Sequence, residues 1–258
     1  MTNCLRSEID ARGVARLTLQ RPEQHNAFDN ILAGALRQAL ASLAGLDEVR
    51  VVILSGDGTT FCAGADLAYM QSLAAADEAR NLADALAFAE LFHALDHFPK
   101  PTIARVNGHA FGGGVGLIAC CDIAVAADSA LFALTEVRMG LVPATISPYV
   151  LRAIGGRFAR RWFLTAERLD ANRAAQIGLI HDIAPAAELD ACIDGIVNEL
   201  LKGGPQAQRE AKELAREAAQ VLDAGLVRST AQRLARLRVS AEGQEGIRAF
   251  LERRRPSW

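Results

Sequence analysis

The stretch Thr102–Asp122, TIARVNGHAFGGGVGLIACCD, decides the fold class of this chain. Thr102–Val106 is a β-branched, apolar run, which predicts a buried strand. Asn107-Gly108 marks a turn, because both residue types tolerate positive φ angles. A triple glycine at 112–114 then leads into Val115–Cys121, which we interpret as the first turns of a buried helix. A strand followed so closely by a helix is typical of α/β proteins.

The triple glycine also permits a chemical role. Glycines have no Cβ to keep a ligand off the backbone, and the free N–H groups of a first helical turn point outward. Such a site suits a phosphate, or an oxygen that gains negative charge during a reaction. A tight crossover, with glycines for close packing only, is the alternative. No Gly-Lys-Ser/Thr follows, which excludes the P-loop, and the spacing of the glycines does not match the dinucleotide fingerprint.

Composition restricts the class of protein. The chain has 258 residues, of which 51% are hydrophobic, and a net charge of −2, which favours a globular protein over a polybasic one that seeks nucleic acid or membranes. The N-terminus has no apolar signal core, and no stretch is long enough to span a membrane. Five scattered cysteines lack the paired spacing of a metal site. We therefore expect free thiols, no metal and a cytoplasmic location.

Other segments continue the alternation of strands and helices. Leu5–Asp10 and Val14–Gln20 predict a hairpin, and Val51–Leu54 a short buried strand. Asp29 is the predicted N-cap of a helix with leucines at helical spacing. Phe61–Leu67 is a second turn of small residues that also opens a helix.

Two acidic residues allow two interpretations each. Asp66, in the second turn, is either a helix N-cap or part of a ligand site. Glu136 follows a short apolar strand, so it is either a carboxylate at a helix start or a catalytic group. Taken alone, its position favours the structural role.

The chain changes character near residue 200. Residues 1–200 form the predicted α/β core, and residues 201–258 read as helices only. The helical part carries an apolar stripe, which we expect to be buried against a partner subunit. The stripe comprises Leu214, Val221, Leu222, Leu226 and Leu234.

Together these segments resemble the enoyl-CoA hydratase/isomerase (crotonase) superfamily. The similarity covers essentially the whole chain, and it depends on the order of several short motifs. These are Arg21-Pro22 with Asn26-Ala27, the Phe61–Leu67 turn, Val106-Asn107-Gly108 with the triple glycine, Cys121-Asp122-Ile123, Glu136 ahead of Gly140–Pro143, and the ending Phe250–Pro256.

The resemblance implies a fold, an assembly and a substrate class. The fold would be an α/β, crotonase-type spiral of ββα repeats over residues 1–200, with the acyl-CoA site. Residues 201–258 would form a C-terminal helical trimerisation region. The assembly would be a homotrimer or a homohexamer made as a dimer of trimers. The substrate would be an acyl-CoA thioester, with no separate cofactor because coenzyme A is part of the substrate.

The resemblance also assigns site residues by position. The backbone N–H groups of Ala65 and Gly113 would form the oxyanion hole for the thioester oxygen, with Gly112 beside them. The CoA moiety would bind along four further residues. These are Ala27, Ala63, Asp66 and Leu67.

Gly116 is where the sequence departs from hydratases with two catalytic glutamates. It occupies the position of the first glutamate, so Glu136 would be the single acid–base group. This pattern resembles bacterial 3-methylglutaconyl-CoA and isohexenylglutaconyl-CoA hydratases. Their substrates bring a carboxylate, for which a glycine would leave room. The substrate acid would need a cation, for which we consider Arg138, Arg152 and Lys100.

The favoured activity is therefore hydration of a branched 2-enoyl-CoA, with 3-methylglutaconyl-CoA of leucine degradation as the substrate. The alternatives are a Δ3,Δ2-enoyl-CoA isomerase, which needs one proton shuttle, or a generic enoyl-CoA hydratase. A weaker alternative is an RNA-binding relative of the glutaconyl hydratases. Its only local support is the cluster Arg157, Arg160 and Arg161. We interpret this cluster as a solvated helix face or a phosphate contact for CoA, and we expect no nucleic-acid partner.

Overall fold

The computed structural model describes residues 4–219 and 223–258. The strands are β1 (Leu5–Ile9), β2 (Val14–Leu19), β3 (Val51–Gly56), β4 (Thr60–Cys62), β5 (Thr102–Val106), β6 (His109–Phe111), β7 (Ile123–Ala127), β8 (Leu131–Ala133), β9 (Leu169–Asp170) and β10 (Asp182–Ala184). The α-helices are α1 (Asn30–Ala44), α2 (Leu67–Ala74), α3 (Glu78–Asp96), α4 (Gly113–Cys120), α5 (Ser147–Thr165), α6 (Ala171–Gln176), α7 (Leu189–Lys202), α8 (Pro205–Ala218), α9 (Ala224–Val239) and α10 (Ala241–Leu251). Short 3₁₀ helices span Pro22–Gln24 and Glu136–Met139.

The larger sheet has six strands in the order β1-β2-β3-β5-β7-β10. Strands β1 and β2 form the predicted antiparallel hairpin, and the remaining pairs are parallel. Every residue of β3 is buried, as expected for a parallel strand covered on both faces. The predicted strand Thr102–Val106 is confirmed as β5, which lies between β3 and β7.

Four short strands pair into a second sheet, in the order β4-β6-β8-β9, and this pairing was not predicted. Its strands are two or three residues long, so they are too short for a hydrophobic period to appear in the sequence. Three successive units repeat the order strand, strand, helix: β3-β4-α2, β5-β6-α4 and β7-β8-α5. The first strand of each unit joins the larger sheet and the second joins the smaller one. The expected ββα repeats are therefore confirmed.

The helices largely follow their predicted apolar spacing. Asp29 caps α1 by accepting from Leu32 N at 2.8 Å, as predicted. On α3, however, only the C-terminal half is buried, and Leu82 and Leu86 are exposed. Helix α5 is interrupted at Gly155, whose φ of 74° lies in the region that favours glycine.

The C-terminal helices pack on one another and onto the core through polar contacts. Lys212 Nζ lies 2.7 Å from Asp122 Oδ2, and Arg233 Nη1 lies 2.8 Å from Glu210 Oε2. Large apolar side chains of α9 and α10 nevertheless face outward. They include Val227, Leu234, Val239, Phe250 and Leu251.

The predicted apolar stripe is only partly described. Leu214 and Leu226 are half-buried and Leu234 is exposed, whereas Val221 and Leu222 lie outside the described residues. All five cysteines are free thiols. No helix in the described ranges is both long and apolar enough to cross a membrane.

Candidate active site

Two glycine turns meet where α2 and α4 begin. Gly64 has a φ of 90° and Gly112 a φ of 50°, both in the region that favours glycine. The Gly64 Cα atom lies only 3.7 Å from the place that a Cβ on Gly112 would take. Phe28 N donates to Gly64 O at 2.6 Å, which ties the first turn to the start of α1. The two turns are thus held side by side.

Each turn presents a backbone N–H without an acceptor among the described residues. These groups belong to Ala65 and to Gly113, the first residue of α4. The neighbouring amides are used differently, since Asp66 N donates to Phe28 O at 2.7 Å and Gly112 N donates to Ala133 O at 2.9 Å. Ala65 and Gly113 line the same cavity, so both can donate to one ligand oxygen.

The cavity has a volume of about 450 Å³ and lies in front of the two turns. Its walls are mainly apolar. Helices α2 and α3 contribute Met70, Leu73 and Phe88, and the loop before α5 contributes Leu141 and Val142. Such a chamber suits a small acyl group.

Glu136 projects into this cavity from the start of a 3₁₀ helix. Its Oε1 lies 3.1 Å from the place of a Cβ on Gly112, so the glycine makes room for the carboxylate. Its Oε2 is buried without a hydrogen-bond partner among the described residues. Burial raises the pKa of Glu136, because water is withdrawn from the charged form. A raised pKa makes the protonated form of this carboxyl group easier to reach, which suits a group that both takes and gives a proton.

The predicted CoA-contact residues separate into two groups. Ala63 and Leu67 line the cavity, and 76% of the Leu67 surface is exposed at its edge. Ala27 is buried, and Asp66 caps α2 by accepting from Tyr69 N at 2.9 Å. Neither Ala27 nor Asp66 is among the lining residues. For Asp66 the structure supports the N-cap interpretation.

The interpretation of Gly116 as room for a substrate acid needs correction. Gly116 is buried in α4 and does not line the cavity. A Cβ at this position would lie 2.2 Å from Ile146 Cγ2 and 3.0 Å from Phe92 Cε1. The space next to Gly116 is therefore filled by Ile146, and the glycine serves close packing.

The three candidate cations also need correction, because none of them lines the cavity. Arg138 donates to Ala166 O at 2.8 Å, Arg152 pairs with Asp96, and Lys100 donates to Leu43 O at 3.2 Å. Among the described lining residues there is no Lys, Arg or His. Residues 4–219 and 223–258 contain no group of three or more His, Cys, Asp or Glu side chains that could hold a metal ion.

A second carboxylate in the cavity was missed. Asp84 on α3 accepts a hydrogen bond from the Tyr69 hydroxyl on α2, and both residues line the wall. Burial, together with this hydrogen bond and the charge of Asp84, raises the pKa of Tyr69 to about 12. No sequence motif links these residues, which are 15 positions apart. The turn between α2 and α3, which Asn81 closes by donating to Leu73 O and Asp77 O, brings them together.

Comparison with known proteins places this site in a family context. The family model "Enoyl-CoA hydratase/isomerase" matches residues 10–258. The crystal structure of an enoyl-CoA hydratase from Shewanella pealeana is similar with a TM-score of 0.96 and 45% identity, over 99% of this chain and 96% of that chain. The 2,3-dehydroadipyl-CoA hydratase of Escherichia coli is 34% identical over 248 residues, 95% of this chain and 94% of the relative. The crotonyl-CoA hydratase of Syntrophomonas wolfei is 32% identical over 247 residues, with the same two coverages of 95% and 94%.

Proposed function

Because this chain belongs to the enoyl-CoA hydratase/isomerase family, we propose that it adds water to a 2-enoyl-CoA thioester, with Glu136 as its acid–base group. The observation that carries the proposal is that this carboxylate and two N–H groups, which have no acceptor in the described part of the chain, line one cavity. The N–H groups suit the thioester oxygen and the carboxylate suits the proton transfers.

The thioester oxygen would accept hydrogen bonds from Ala65 and Gly113. This oxygen becomes negative when a nucleophile adds to C3 and the enolate forms. Donors that are already aligned stabilise that charge without reorganising, and one such donor contributes about 2.7–4 kcal/mol to catalysis. The start of α4 adds the positive end of a helix dipole at Gly113.

Glu136 would serve both proton transfers. As a carboxylate it takes a proton from water, whose oxygen forms the new bond to C3. The resulting carboxylic acid then gives its proton to C2 of the enolate, which restores the carboxylate and leaves a 3-hydroxyacyl-CoA. The raised pKa of Glu136 suits this exchange, because acid and base forms are then closer in energy near neutral pH.

The proposed substrates are 2-enoyl-CoA thioesters, branched or linear, whose acyl group carries no carboxylate. The narrower interpretation, 3-methylglutaconyl-CoA of leucine degradation, requires a partner for the substrate acid. The lining residues offer two carboxylates, Glu136 and Asp84, and among those described no cation. Like charges at close range oppose binding of an acidic acyl group.

Isomerisation of a 3-enoyl-CoA is the second candidate, because a 1,3-proton shift needs a single base and Glu136 is suited to it. Product analysis separates the two reactions. Purified protein is incubated with crotonyl-CoA and, separately, with 3-hexenoyl-CoA, and the products are resolved by chromatography. Hydration predicts 3-hydroxybutyryl-CoA from the first substrate. Conversion of 3-hexenoyl-CoA to 2-hexenoyl-CoA, with crotonyl-CoA left intact, would favour the isomerase.

A trimer or a dimer of trimers is the proposed assembly. Its support is the outward-facing apolar side chains of α9 and α10, including Phe250, of which 83% is exposed, and Val239, of which 75% is exposed. Sedimentation of the full chain, and of a chain that ends before Gly203, tests this proposal. A stable monomer in both cases would refute it.

A further inference from the structure

The polar pair Tyr69–Asp84 is not used by the proposed mechanism. Both residues line the cavity, and most of the surrounding wall is apolar, with Met70, Leu73 and Phe88 nearby in sequence on the same two helices. A carboxylate in such surroundings is unfavourable unless its oxygens are hydrogen-bonded. Asp84 receives a single hydrogen bond from the described residues, the one from Tyr69 to Oδ1, and its Oδ2 is not fully buried, so that oxygen is open to a ligand.

The unused hydrogen-bonding capacity of the pair is acceptor capacity. The Tyr69 hydroxyl spends its only proton on Asp84, and its pKa of about 12 keeps it protonated. Asp84 is half-buried, and its Oδ2 receives no hydrogen bond from the described part of the chain. A carboxylate oxygen accepts but cannot donate. A ligand group that meets the pair must therefore be a donor.

The pair is held in place by local hydrogen bonds. Tyr69 N donates to the capping carboxylate of Asp66 at 2.9 Å, which fixes the first turn of α2. The amide of Asn81 donates to Leu73 O at 3.0 Å and to Asp77 O at 2.9 Å, which closes the turn between α2 and α3. A site that is already ordered loses little entropy when it binds a ligand.

We propose that Tyr69 and Asp84 select acyl-CoA thioesters whose acyl chain carries a hydroxyl group at its distal end. The hydroxyl donates to Asp84 Oδ2. A distal carboxylate is rejected, because it meets the like charge of Asp84, and the nearby cation Arg80 is exposed to solvent and lies outside the cavity wall. A distal ammonium is disfavoured, because a single carboxylate in an apolar wall does not replace its hydration. This inference rests on the proposed function, since it uses the same cavity for the acyl chain.

Binding of saturated analogues tests the inference without any turnover. The probes share a six-carbon acyl chain: hexanoyl-CoA, 6-hydroxyhexanoyl-CoA, adipyl-CoA and 6-aminohexanoyl-CoA. We expect the wild-type protein to bind the hydroxy compound about tenfold more tightly than hexanoyl-CoA, because a hydrogen bond to a charged acceptor contributes about that factor to affinity. Adipyl-CoA should bind the most weakly of the four. Isothermal titration calorimetry gives the four Kd values.

Variants assign the selectivity to the pair. Asp84→Asn removes the charge and adds an N–H donor, so the ratio of Kd values for adipyl-CoA and 6-hydroxyhexanoyl-CoA should fall at least about tenfold. Tyr69→Phe keeps the charge, so rejection of adipyl-CoA should remain. Glu78→Gln is the matched control, because Glu78 is an exposed acid on the same helix and lies outside the cavity. It should keep the wild-type ratio.

Three results would overturn the inference. These are equal Kd values for hexanoyl-CoA and its hydroxy analogue, tightest binding of adipyl-CoA, or tightest binding of the amino compound. All three are measured on the wild-type protein, so they do not depend on the folding of any variant. The outcome is also separate from that of the proposed function. Crotonyl-CoA hydration without hydroxyl selectivity would refute only the role of the pair, and selectivity without hydration would refute only the reaction.

Discussion

Glu136 Oε1 lies 3.1 Å from the place that a Cβ on Gly112 would occupy. Gly112 thus has two roles, since it forms a turn with a φ of 50° and leaves space for the carboxylate. Gly112→Ala should reduce the free energy of unfolding by about 1–3 kcal/mol, because alanine is strained at this φ, and should also reduce turnover. Urea denaturation and steady-state kinetics measure the two effects.

Gly34 supplies a matched control for that substitution. It lies inside α1, and no atom comes within 4 Å of the place that its Cβ would take. Gly34→Ala should therefore raise stability by roughly 0.5–1 kcal/mol through helix propensity. If Gly112→Ala behaved like Gly34→Ala in both stability and turnover, the special role of Gly112 would be refuted.

Gly113→Pro tests the oxyanion donor on α4. Proline removes the N–H but is tolerated at the first position of a helix. Gly113→Ala is the control, because it keeps the N–H and places a Cβ in the same contact, 3.2 Å from Phe28 Cδ2. We expect kcat of the proline variant to be about 10²–10³-fold below that of the alanine variant. Equal kcat values would show that this N–H does not stabilise the transition state.

Gly116→Ala tests the packing role of the glycine in α4. The added Cβ would press on Ile146, so stability should fall by about 1–3 kcal/mol. Combining it with Ile146→Ala should recover part of that loss, and the double-mutant cycle should give a coupling energy of about 0.5–3 kcal/mol. Strictly additive effects would contradict direct contact. Because Ile146 fills the space next to Gly116, the larger substitution Gly116→Glu should impair acidic and neutral substrates alike.

The pH dependence of kcat/KM should report the raised pKa of Glu136. The free enzyme needs the carboxylate as a base, so kcat/KM should fall as pH falls through that pKa, with a midpoint above that of an exposed glutamate, about 4.3. The contribution of Glu136 to the free energy of unfolding changes with pH in the opposite direction. A carboxyl with a raised folded pKa contributes stability below its unfolded pKa, and this contribution is lost as pH rises through the folded pKa.

Glu136→Gln provides the check on that sign. The variant cannot ionise, so it should unfold with a larger free energy than the wild type near neutral pH, and the difference should shrink as pH falls toward the unfolded pKa. A difference that grew as pH fell would mean that the folded pKa of Glu136 is lowered.

The sequence was sufficient for the features that are local and repeated. The strand Thr102–Val106, the helix after the triple glycine and the N-cap Asp29 all follow from short-range chemistry, and the structure confirms them. The pairing of the smaller sheet could not be predicted, because strands of two or three residues are defined by their partners in space rather than by a period.

The site was predictable where a single residue or turn carries the chemistry. Glu136, Ala65 and Gly113 do line one cavity. The pair Tyr69–Asp84 was missed because its two residues lie on different helices, so no local pattern in the sequence links them. The prediction that Gly116 leaves room for a substrate acid was wrong for a similar reason, because Ile146, thirty positions later, fills the space. Residues distant in the chain decide both cases.

The role of Glu136 as catalytic base is tested by kcat/KM for crotonyl-CoA hydration by Glu136→Gln, measured beside the Kd of butyryl-CoA. The substitution keeps the shape of the side chain and removes its proton-accepting group. We expect kcat/KM to fall by about 10²–10⁴-fold while butyryl-CoA still binds, because the lost interaction acts in proton transfer and not in binding. A variant that kept more than roughly a tenth of the wild-type kcat/KM would show that Glu136 is not the catalytic base.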